Sequence, residues 1–446
     1  MKSGTIYALA SASGPAGVAV IRLSGPEAGE AWRRLTGIPL PPPRRLVRMR
    51  FTDPDTGEVL DDGLGVWFAG PASFTGEDVV EFHLHGGRAV VAGALAALGR
   101  IGGLRLAEPG EFTRRAFENG RMDLTAAEGL ADLVAAETAA QRRQALRQMQ
   151  GALGALYEEW REDLLRDLAH VEAAIDFADE DLPEGLIEEV RRRAAAVRAA
   201  MADHLADGRR GERLRDGVQV AIVGPPNAGK SSLLNLLARR EAAIVAETAG
   251  TTRDVIEVHL DLAGIPVVVA DTAGLRDGGD AVECEGVRRA QARAAEADVR
   301  IALFDATRWP ETDGRTAALV DGATVVAINK SDITSPPPPL AVNGVAGLAV
   351  SVRTGIGIDG LMARLAAAVA ECCPAAGAPA MTRARHREAL EACVAALDRF
   401  LSGEGVAPEL AAEDLRLATR ALGRITGRVD VEDVLDVIFR EFCIGK

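Results

Sequence analysis

The chain has 446 residues, 48% hydrophobic, 26% charged and 4% aromatic, with a formal net charge of −14 at pH 7. That length exceeds what one core organises, the composition excludes wholesale disorder, and the negative charge argues against gripping nucleic acid over the whole surface. Five cysteines at irregular spacing, including the adjacent Cys372-Cys373, supply neither a disulfide framework nor a zinc-binding pattern and fit a reducing compartment.

At the start of the chain Ala10-Ser11-Ala12 mimics a signal-peptidase site. The apolar stretch before it, Thr5 to Ala10, is shorter than the roughly 7–15 residues a signal core requires. Alternation resumes at Gly17-Val18-Ala19-Val20-Ile21-Arg22, so a signal peptide is rejected. No run of about 18 apolar residues is present to span a membrane, and a cytoplasmic protein is expected. Residues 1–121 mix short β-like runs (Ile6–Ala10, Val18–Leu23, Gly65–Phe68, Val79–His83) with an Ala-rich helix near 88–100. They read as an α/β domain. The basic clusters Arg44-Arg45-Leu46-Val47-Arg48-Met49-Arg50 and Arg209-Arg210-Gly211-Glu212-Arg213 lack interleaved aromatics and read as solvated faces.

From Leu124 to about residue 215, long Ala/Leu/Arg/Glu segments, broken clearly only around Pro183-Glu184-Gly185, predict the amphipathic helices of a bundle. At Val218 the pattern switches to a buried strand that runs into a glycine loop. Further buried strands follow at Val267–Ala270, Arg300–Phe304, Thr324–Ile328 and Leu348–Val350, with helices between them. Such alternation predicts a doubly wound parallel sheet, closing near Cys372-Cys373-Pro374. From Thr382 onward the chain is helical again. The expected fold is thus a multidomain α/β protein: an α/β domain over 1–121, a helical domain from 122–215 and 376–446, and a nucleotide domain over 216–375 inserted between its halves.

Gly224-Pro225-Pro226-Asn227-Ala228-Gly229-Lys230-Ser231 matches GxxxxGK(S/T) between a strand and a helix. In that setting loop amides and the helix N-terminus wrap phosphates, Lys230 supplies charge to the outer phosphates, and the Ser231 hydroxyl reaches Mg2+. Asn329-Lys330-Ser331-Asp332 follows a strand, where ligands of open α/β sheets bind. The Asp332 carboxylate accepts from N1–H and the exocyclic amine of guanine, and adenine offers neither donor in that arrangement, so GTP is read over ATP. Ser351-Val352-Arg353 stands where related G domains show Ser-Ala-Lys. Asp271-Thr272-Ala273-Gly274 ends another strand: Asp271 would hold Mg2+ through water and the Gly274 amide would sense the γ-phosphate. Gly250-Thr251-Thr252-Arg253-Asp254 lies between these motifs, with Thr252 a second hydroxyl for the metal. The motifs in this order specify a GTPase.

Small GTPases place a water-orienting Gln after the DxxG segment, but here that position is Leu275. Asn227 in the phosphate loop, with the Gly-Thr-Thr segment, resembles GTPases that bind K+ beside the phosphates in place of an arginine finger. Two readings of Glu283 stand open, a water-orienting carboxylate and a plain surface carboxylate.

Taken together, these residues resemble the MnmE (TrmE) family of tRNA-modification GTPases. The likeness rests on Gly17-Val18-Ala19-Val20-Ile21-Arg22-Leu23-Ser24-Gly25, Gly76-Glu77-Asp78-Val79-Val80-Glu81 and Pro109-Gly110-Glu111-Phe112-Thr113-Arg114-Arg115-Ala116-Phe117. The Asn-containing phosphate loop and the terminal Cys443-Ile444-Gly445-Lys446 complete it. The resemblance implies a homodimer joined through N-terminal domains that bind a tetrahydrofolate one-carbon carrier (5,10-methylene or 5-formyl). It further implies K+-dependent pairing of G domains and an FAD-containing partner, MnmG (GidA). The pair would act on C5 of the wobble uridine of certain tRNAs, giving aminomethyl or carboxymethylaminomethyl uridine.

Carried over residue by residue, the folate contacts are Arg22, Glu81 and Lys446, with Arg121 where many members have Lys; an arginine fork is not a lysine point charge. K+ would be held by Asn227, Ala246, Thr248 and Thr251, and Ala246 departs from a more usual Thr. Mg2+ would be held by Ser231 and Thr252. The GTP-contacting set is Asn227, Ala228, Gly229, Lys230, Ser231, Ser232, Ala246, Glu247, Thr248, Ala249, Gly250, Thr251, Thr252, Asp271, Thr272, Ala273, Gly274, Asn329, Lys330, Asp332, Ser351, Val352 and Arg353. Cys443 either acts as a nucleophile near the folate or lines its pocket. The alternative to this enzyme is a regulatory GTPase switch in ribosome assembly. Such a switch usually carries a second G domain or a terminal RNA-binding module, and neither is evident.

Overall fold

The computed structural model describes residues 4–177, 185–207, 209–240, 242–244, 257–271, 294–336, 340–374, 379–403, 407–429, 435, 438–440, 442, 444 and 445. Two compact units emerge. The first comprises Met1–Ala131, Gln148–Arg161 and Leu422–Lys446, the second Asp132–Arg147 and Glu162–Ala421.

The first unit is built on six strands, β1 (Thr5–Leu9), β2 (Ala16–Ser24), β3 (Val47–Thr52), β4 (Val59–Phe68), β5 (Val79–Gly86) and β6 (Leu104–Leu106), in the order β3-β4-β5-β2-β1-β6. All neighbours are antiparallel except β1 and β6. The period of two along each strand sorts the side chains between two faces. Tyr7, Ile21, Leu23, Val80, Phe82 and Leu84 point to one face, where they pack with residues of α1 (Ala28–Thr36) and α2 (Arg88–Gly99). There Trp32 stacks on Phe82 at 5.6 Å between ring centroids, and Phe51 meets Phe82 edge-on at 5.0 Å. Ile6 and Ala8 point the other way, onto Ala107 and Phe112 of α3 (Glu111–Glu118), with Phe74 beside them.

Strand β3 takes in the second half of the Arg44–Arg50 cluster read from sequence as a solvated face. Its alternation buries Met49 and Phe51 and leaves Arg48 and Arg50 exposed, so the cluster is an edge strand whose charges face solvent. The last residues also fold into this unit. Leu435, Ile438, Phe439 and Phe442 share a core with Leu124 and Ala127 of α4 (Leu124–Ala135). Ile444 makes an antiparallel bridge to Pro109. Gly445 has φ +98, and a Cβ there would lie 2.2 Å from the Leu9 carbonyl oxygen, so only glycine lets the tail lie this close to the end of β1.

Helices α5 (Ala139–Met149), α6 (Ala152–Asp176), α7 (Leu186–Leu205) and α8 (Arg210–Asp216) follow in the chain. Helix α6 buries Tyr157, Leu164 and Leu168, and α7 buries Val190, Ala194, Val197 and Met201, spacing that matches the predicted amphipathic helices. In the second unit Asp132 accepts from Arg215 at 3.1 Å and from Arg383 at 2.7 Å, joining segments distant in sequence.

The second unit's sheet has seven strands, β7 (Val218–Val223), β8 (Glu257–Leu262), β9 (Ile265–Asp271), β10 (Val299–Asp305), β11 (Thr324–Asn329), β12 (Ala341–Val342) and β13 (Val345–Ala349). Their order is β12-β13-β11-β10-β7-β9-β8. The inner five are parallel, whereas β8 and β12 run antiparallel at the edges. Successive residues of β7 feed cores on opposite faces, Val220 and Ile222 on one and Ala221 and Val223 on the other, as a doubly wound sheet requires. Helices α9 (Lys230–Leu237) and α10 (Ile358–Cys372) pack on the first of these faces. Beyond the sheet, α11 (Ala384–Ser402) lies along α7, and α12 (Pro408–Thr426) follows it in the chain.

Trp32 is fully buried and also donates to the Pro39 carbonyl at 3.2 Å. Replacing it with Ala is expected to cost about 3–5 kcal/mol of unfolding free energy, read by circular dichroism in urea. A loss below about 1 kcal/mol would contradict the packing described.

Candidate functional site

The nucleotide loop leaves the C-terminal end of β7, the strand flanked by β9 on one side and β10 on the other. The chain turns first to β8 and β9 and then crosses to β10, so the loop sits at the switch point where such sheets bind ligands. Asn227 adopts φ +62, a conformation asparagine tolerates. Gly229 caps α9 at φ +103, and a Cβ there would lie 2.4 Å from the Asn329 Nδ2. Lys230 is buried, and its Nζ donates to the carbonyls of Gly224 at 2.9 Å and Pro225 at 3.0 Å. Its ammonium is therefore held inside the loop that would surround phosphate. Ser231 and Ser232 are exposed on the first turn of α9, where backbone amides and helix dipole favour an anion.

The residues that sequence assigns to guanine form a hydrogen-bonded set around Asn329. This side chain ends β11 and is buried; its Nδ2 donates to the Ala228 carbonyl at 2.8 Å and its Oδ1 accepts from the Val352 amide at 3.0 Å. Ser351, fully buried, donates from Oγ to the exposed Asp332 carboxylate at 2.7 Å and accepts from the Thr354 amide at 3.2 Å. The hydroxyl thus aims the carboxylate that sequence assigns to the base. Lys330 adopts φ +70 and pairs with Asp305 at 2.5 Å. Partial burial works against charge on Asp305, but the Lys330 ammonium and the Thr307 hydroxyl and amide outweigh it and hold the carboxyl below its usual range. Arg353 is exposed on the same turn as Val352. Asp271 closes β9 in register with Ile222. Ala246, Glu247, Thr248, Ala249, Gly250, Thr251, Thr252, Thr272, Ala273, Gly274, Glu283, Cys443 and Lys446 lie outside the described residues.

In the first unit, the alternation that buries Ile21 and Leu23 turns Arg22 to the face opposite α1 and α2. Val80 and Phe82 do the same for Glu81. Arg22 and Glu81 are cross-strand partners, and Nε of Arg22 donates to Oε1 of Glu81 at 2.8 Å. The guanidinium also stands 5.6 Å from the Phe74 ring centroid and 5.8 Å from that of Phe112. His83, two residues along the same face, places Nε2 at 3.4 Å from the other Glu81 oxygen.

Two predicted folate contacts therefore meet in a setting that joins a cation, a carboxylate and aromatic rings. That donor set fits a folate: ring faces for the pterin, a carboxylate for its amino donors and a cation for its acidic tail. Arg121 is exposed after α3, its stem running alongside Gly76. Phe74, Phe112 and His83 were not picked out as site residues from sequence. The period of two from Glu81 was signal enough for His83, whereas Phe74 and Phe112 come together only through the turns before β5 and α3.

Other motifs prove to be structural supports. Arg115 is buried and donates to Glu77 at 2.9 Å and to the Gly4 carbonyl at 2.8 Å, while Ser24 donates to Glu77 at 2.7 Å. The Gly76–Asp78 and Pro109–Phe117 segments are thereby tied to the end of β2. The second basic cluster, read from sequence as a solvated face, is partly buried instead: Arg210 is buried, Arg213 pairs with Asp298 at 2.7 Å and Glu212 with Arg387 at 3.0 Å. Burial pushes the thiols of Cys373 and Cys393 up to about 11 and about 12, so neither is a nucleophile at neutral pH.

Family models match almost the entire chain: "GTP-binding protein TrmE N-terminus" over residues 5–121 and "MnmE helical domain" over residues 124–443. Among curated relatives, the tRNA modification GTPase MnmE of Paramagnetospirillum magneticum is 60% identical over 444 residues, covering 100% of both chains. That of Parvibaculum lavamentivorans is also 60% identical, covering 99% of this chain and 100% of its own. The 5-taurinomethyluridine-[tRNA] synthase subunit GTPB3, mitochondrial, of Homo sapiens is 49% identical, covering 99% of this chain and 93% of its own.

Removing the Asn329 amide strands the Ala228 carbonyl and the Val352 amide, at a cost of about 1–3 kcal/mol. Asn329→Ala is therefore expected to weaken guanine-nucleotide binding roughly ten- to hundredfold in a fluorescence titration. Unchanged affinity would show that the bridge does not organise the pocket.

Proposed function

The chain belongs to the MnmE family of tRNA modification GTPases, and from that premise we propose that it hydrolyses GTP to drive modification of C5 of the wobble uridine in certain tRNAs. The product is an aminomethyl or carboxymethylaminomethyl uridine. The observation that carries the GTPase half is the Asn329 bridge, which sets the phosphate loop and the Asp332 carboxylate in one hydrogen-bonded frame. The tRNA half rests on family membership across the whole chain.

Loop amides and the N-terminus of α9 bind the phosphates, Lys230 turns from the loop carbonyls toward the outer phosphates, and Asp332 reads guanine. Ser231 and Thr252 would hold Mg2+, and Asn227, Ala246, Thr248 and Thr251 would hold K+; the ions would supply positive charge beside the terminal phosphates. Asn227 suits that part: its amide oxygen lies on an exposed turn of the loop. The water-orienting role is assigned to Glu283.

A tetrahydrofolate one-carbon derivative, 5,10-methylene or 5-formyl, is bound by Arg22, Glu81, Arg121 and Lys446. The Arg22–Glu81 pair between two phenylalanine rings supports this, and so does the run of Ile444 and Gly445 past Pro109 and Leu9. Cys443 is assigned to the same tail. The working assembly is a homodimer acting with the FAD-containing MnmG partner in the cytoplasm. No helix among the described residues is long and apolar enough to cross a membrane.

GTP turnover is expected to be roughly tenfold or more faster in potassium than in sodium chloride, because the smaller ion cannot fill a site framed by Asn227. Asn227→Ala should erase that difference while GTP binding stays largely intact. Equal wild-type rates in the two salts would remove the ion from the mechanism.

A further inference from the structure

Helix α5 is mounted rigidly in the second unit. A capping box starts it: the Thr138 amide donates to Oε1 of Gln141 at 3.0 Å, and the Gln141 amide donates to Oγ1 of Thr138 at 3.3 Å. Its inner face is fixed by polar anchors, with Gln141 Nε2 donating to the Arg215 carbonyl and Gln144 Nε2 to the Gly211 carbonyl, each at 3.0 Å. Ala145 is buried on that same face.

Spacing of 100° per residue then turns Arg142, Arg143, Leu146 and Arg147 outward, and all four are exposed. The helix Ala139–Met149 contains no acidic residue. Several exposed helical arginines elsewhere in the chain pair with a carboxylate three residues away, as in Arg33 with Glu30, Arg166 with Asp163 and Arg192 with Glu189. On α5 nothing comparable occurs, and none of the three arginines has an ion pair among the described residues. Arg143 and Arg147 also stand as like charges at i and i+4, an arrangement that destabilises a helix by itself. In a chain of net charge −14, a concentrated cationic face without its own counter-charges fits an anion brought from outside.

We propose that the outward face of α5, through Arg142, Arg143 and Arg147, binds the phosphate backbone of the tRNA on which the chain acts. The inference rests on the reading that tRNA is the substrate, and it names where this acidic protein touches it. Arginine forks match phosphate oxygens bidentately, and such contacts position the RNA without reading its sequence. A membrane-surface helix would set an apolar stripe beside its cations, and here the outward face offers Leu146 alone.

The test compares the full-length wild type with the triple variant R142Q/R143Q/R147Q in binding unmodified tRNA transcript at salt from about 50 to 200 mM. Each lost phosphate contact flattens the salt dependence of log affinity by about 0.7–0.9, so the slope should fall by roughly 2–3 and affinity at the lowest salt by tenfold or more. Thermal melting and GTP binding report that the variant is folded, and R142K/R143K/R147K should recover most of the lost affinity. Equal affinity and equal slope for wild type and the folded triple glutamine variant would overturn the α5 site while leaving tRNA as the substrate. Loss of binding to an acidic protein partner with tRNA affinity retained would also overturn it. If the wild type itself failed to bind tRNA, the α5 inference would fall, and the nucleoside content of tRNA from cells lacking the chain would judge the substrate independently.

Discussion

A single buried amide, Asn329, holds the nucleotide pocket together. Its nitrogen fixes the carbonyl of Ala228 in the phosphate loop, and its oxygen fixes the amide of Val352 beside the base-reading residues. The segments proposed to bind phosphate and base follow different strands, β7 and β11, separated in the sheet by β10. Without a rigid cross-link their spacing would depend on loops alone. Gly229 shows how tight the link is, because any side chain there would collide with the Asn329 amide. Ser351 extends the frame to Asp332, and Lys330 extends it through Asp305 to the end of β10. Among the described residues, this frame is hydrogen-bonded within the chain itself, which lowers the ordering cost of nucleotide binding there.

The first unit achieves a comparable preorganisation by strand alternation. Ile21 and Leu23 of β2 and Val80, Phe82 and Leu84 of β5 turn to one face, which places Arg22, Glu81 and His83 on the other. There the Arg22 guanidinium is held by Glu81 and flanked by Phe74 and Phe112. Arg115, buried between Glu77 and the Gly4 carbonyl, pins the segment that precedes β5. Gly445 brings the tail to the end of β1 on the same unit. Much of what marks this region in sequence, such as the Gly76–Glu81 and Pro109–Phe117 motifs, is scaffolding for that one face.

Strands β7, β9, β10 and β11 were legible because parallel strands buried on both faces read as short apolar runs. The phosphate loop and the Asn329–Asp332 segment followed from their positions at the ends of those strands. By contrast, β3 and β8 alternate apolar residues with Arg48, Arg50, His259 and Asp261, and at an edge such alternation resembles a polar loop. The antiparallel edge β8 was missed for the same reason, and β12, only two residues long, carries no pattern to read. That Arg22 faces Glu81 was not readable at all, since it depends on the register between strands 59 residues apart. Nor could sequence separate the structural role of Arg115 from a ligand contact, because burial alone distinguishes them. The catalytic assignments of Glu283 and Cys443 rest on sequence.

Under the proposed function, the guanine pocket, the folate-type face and the tRNA serve one reaction on the wobble uridine. Nucleoside analysis of total tRNA from cells lacking this chain tests that most directly. Loss of the 5-aminomethyl-type or 5-carboxymethylaminomethyl-type wobble uridines, restored by the wild-type chain, is the predicted result. Wobble uridines that remain fully modified in those cells would contradict it.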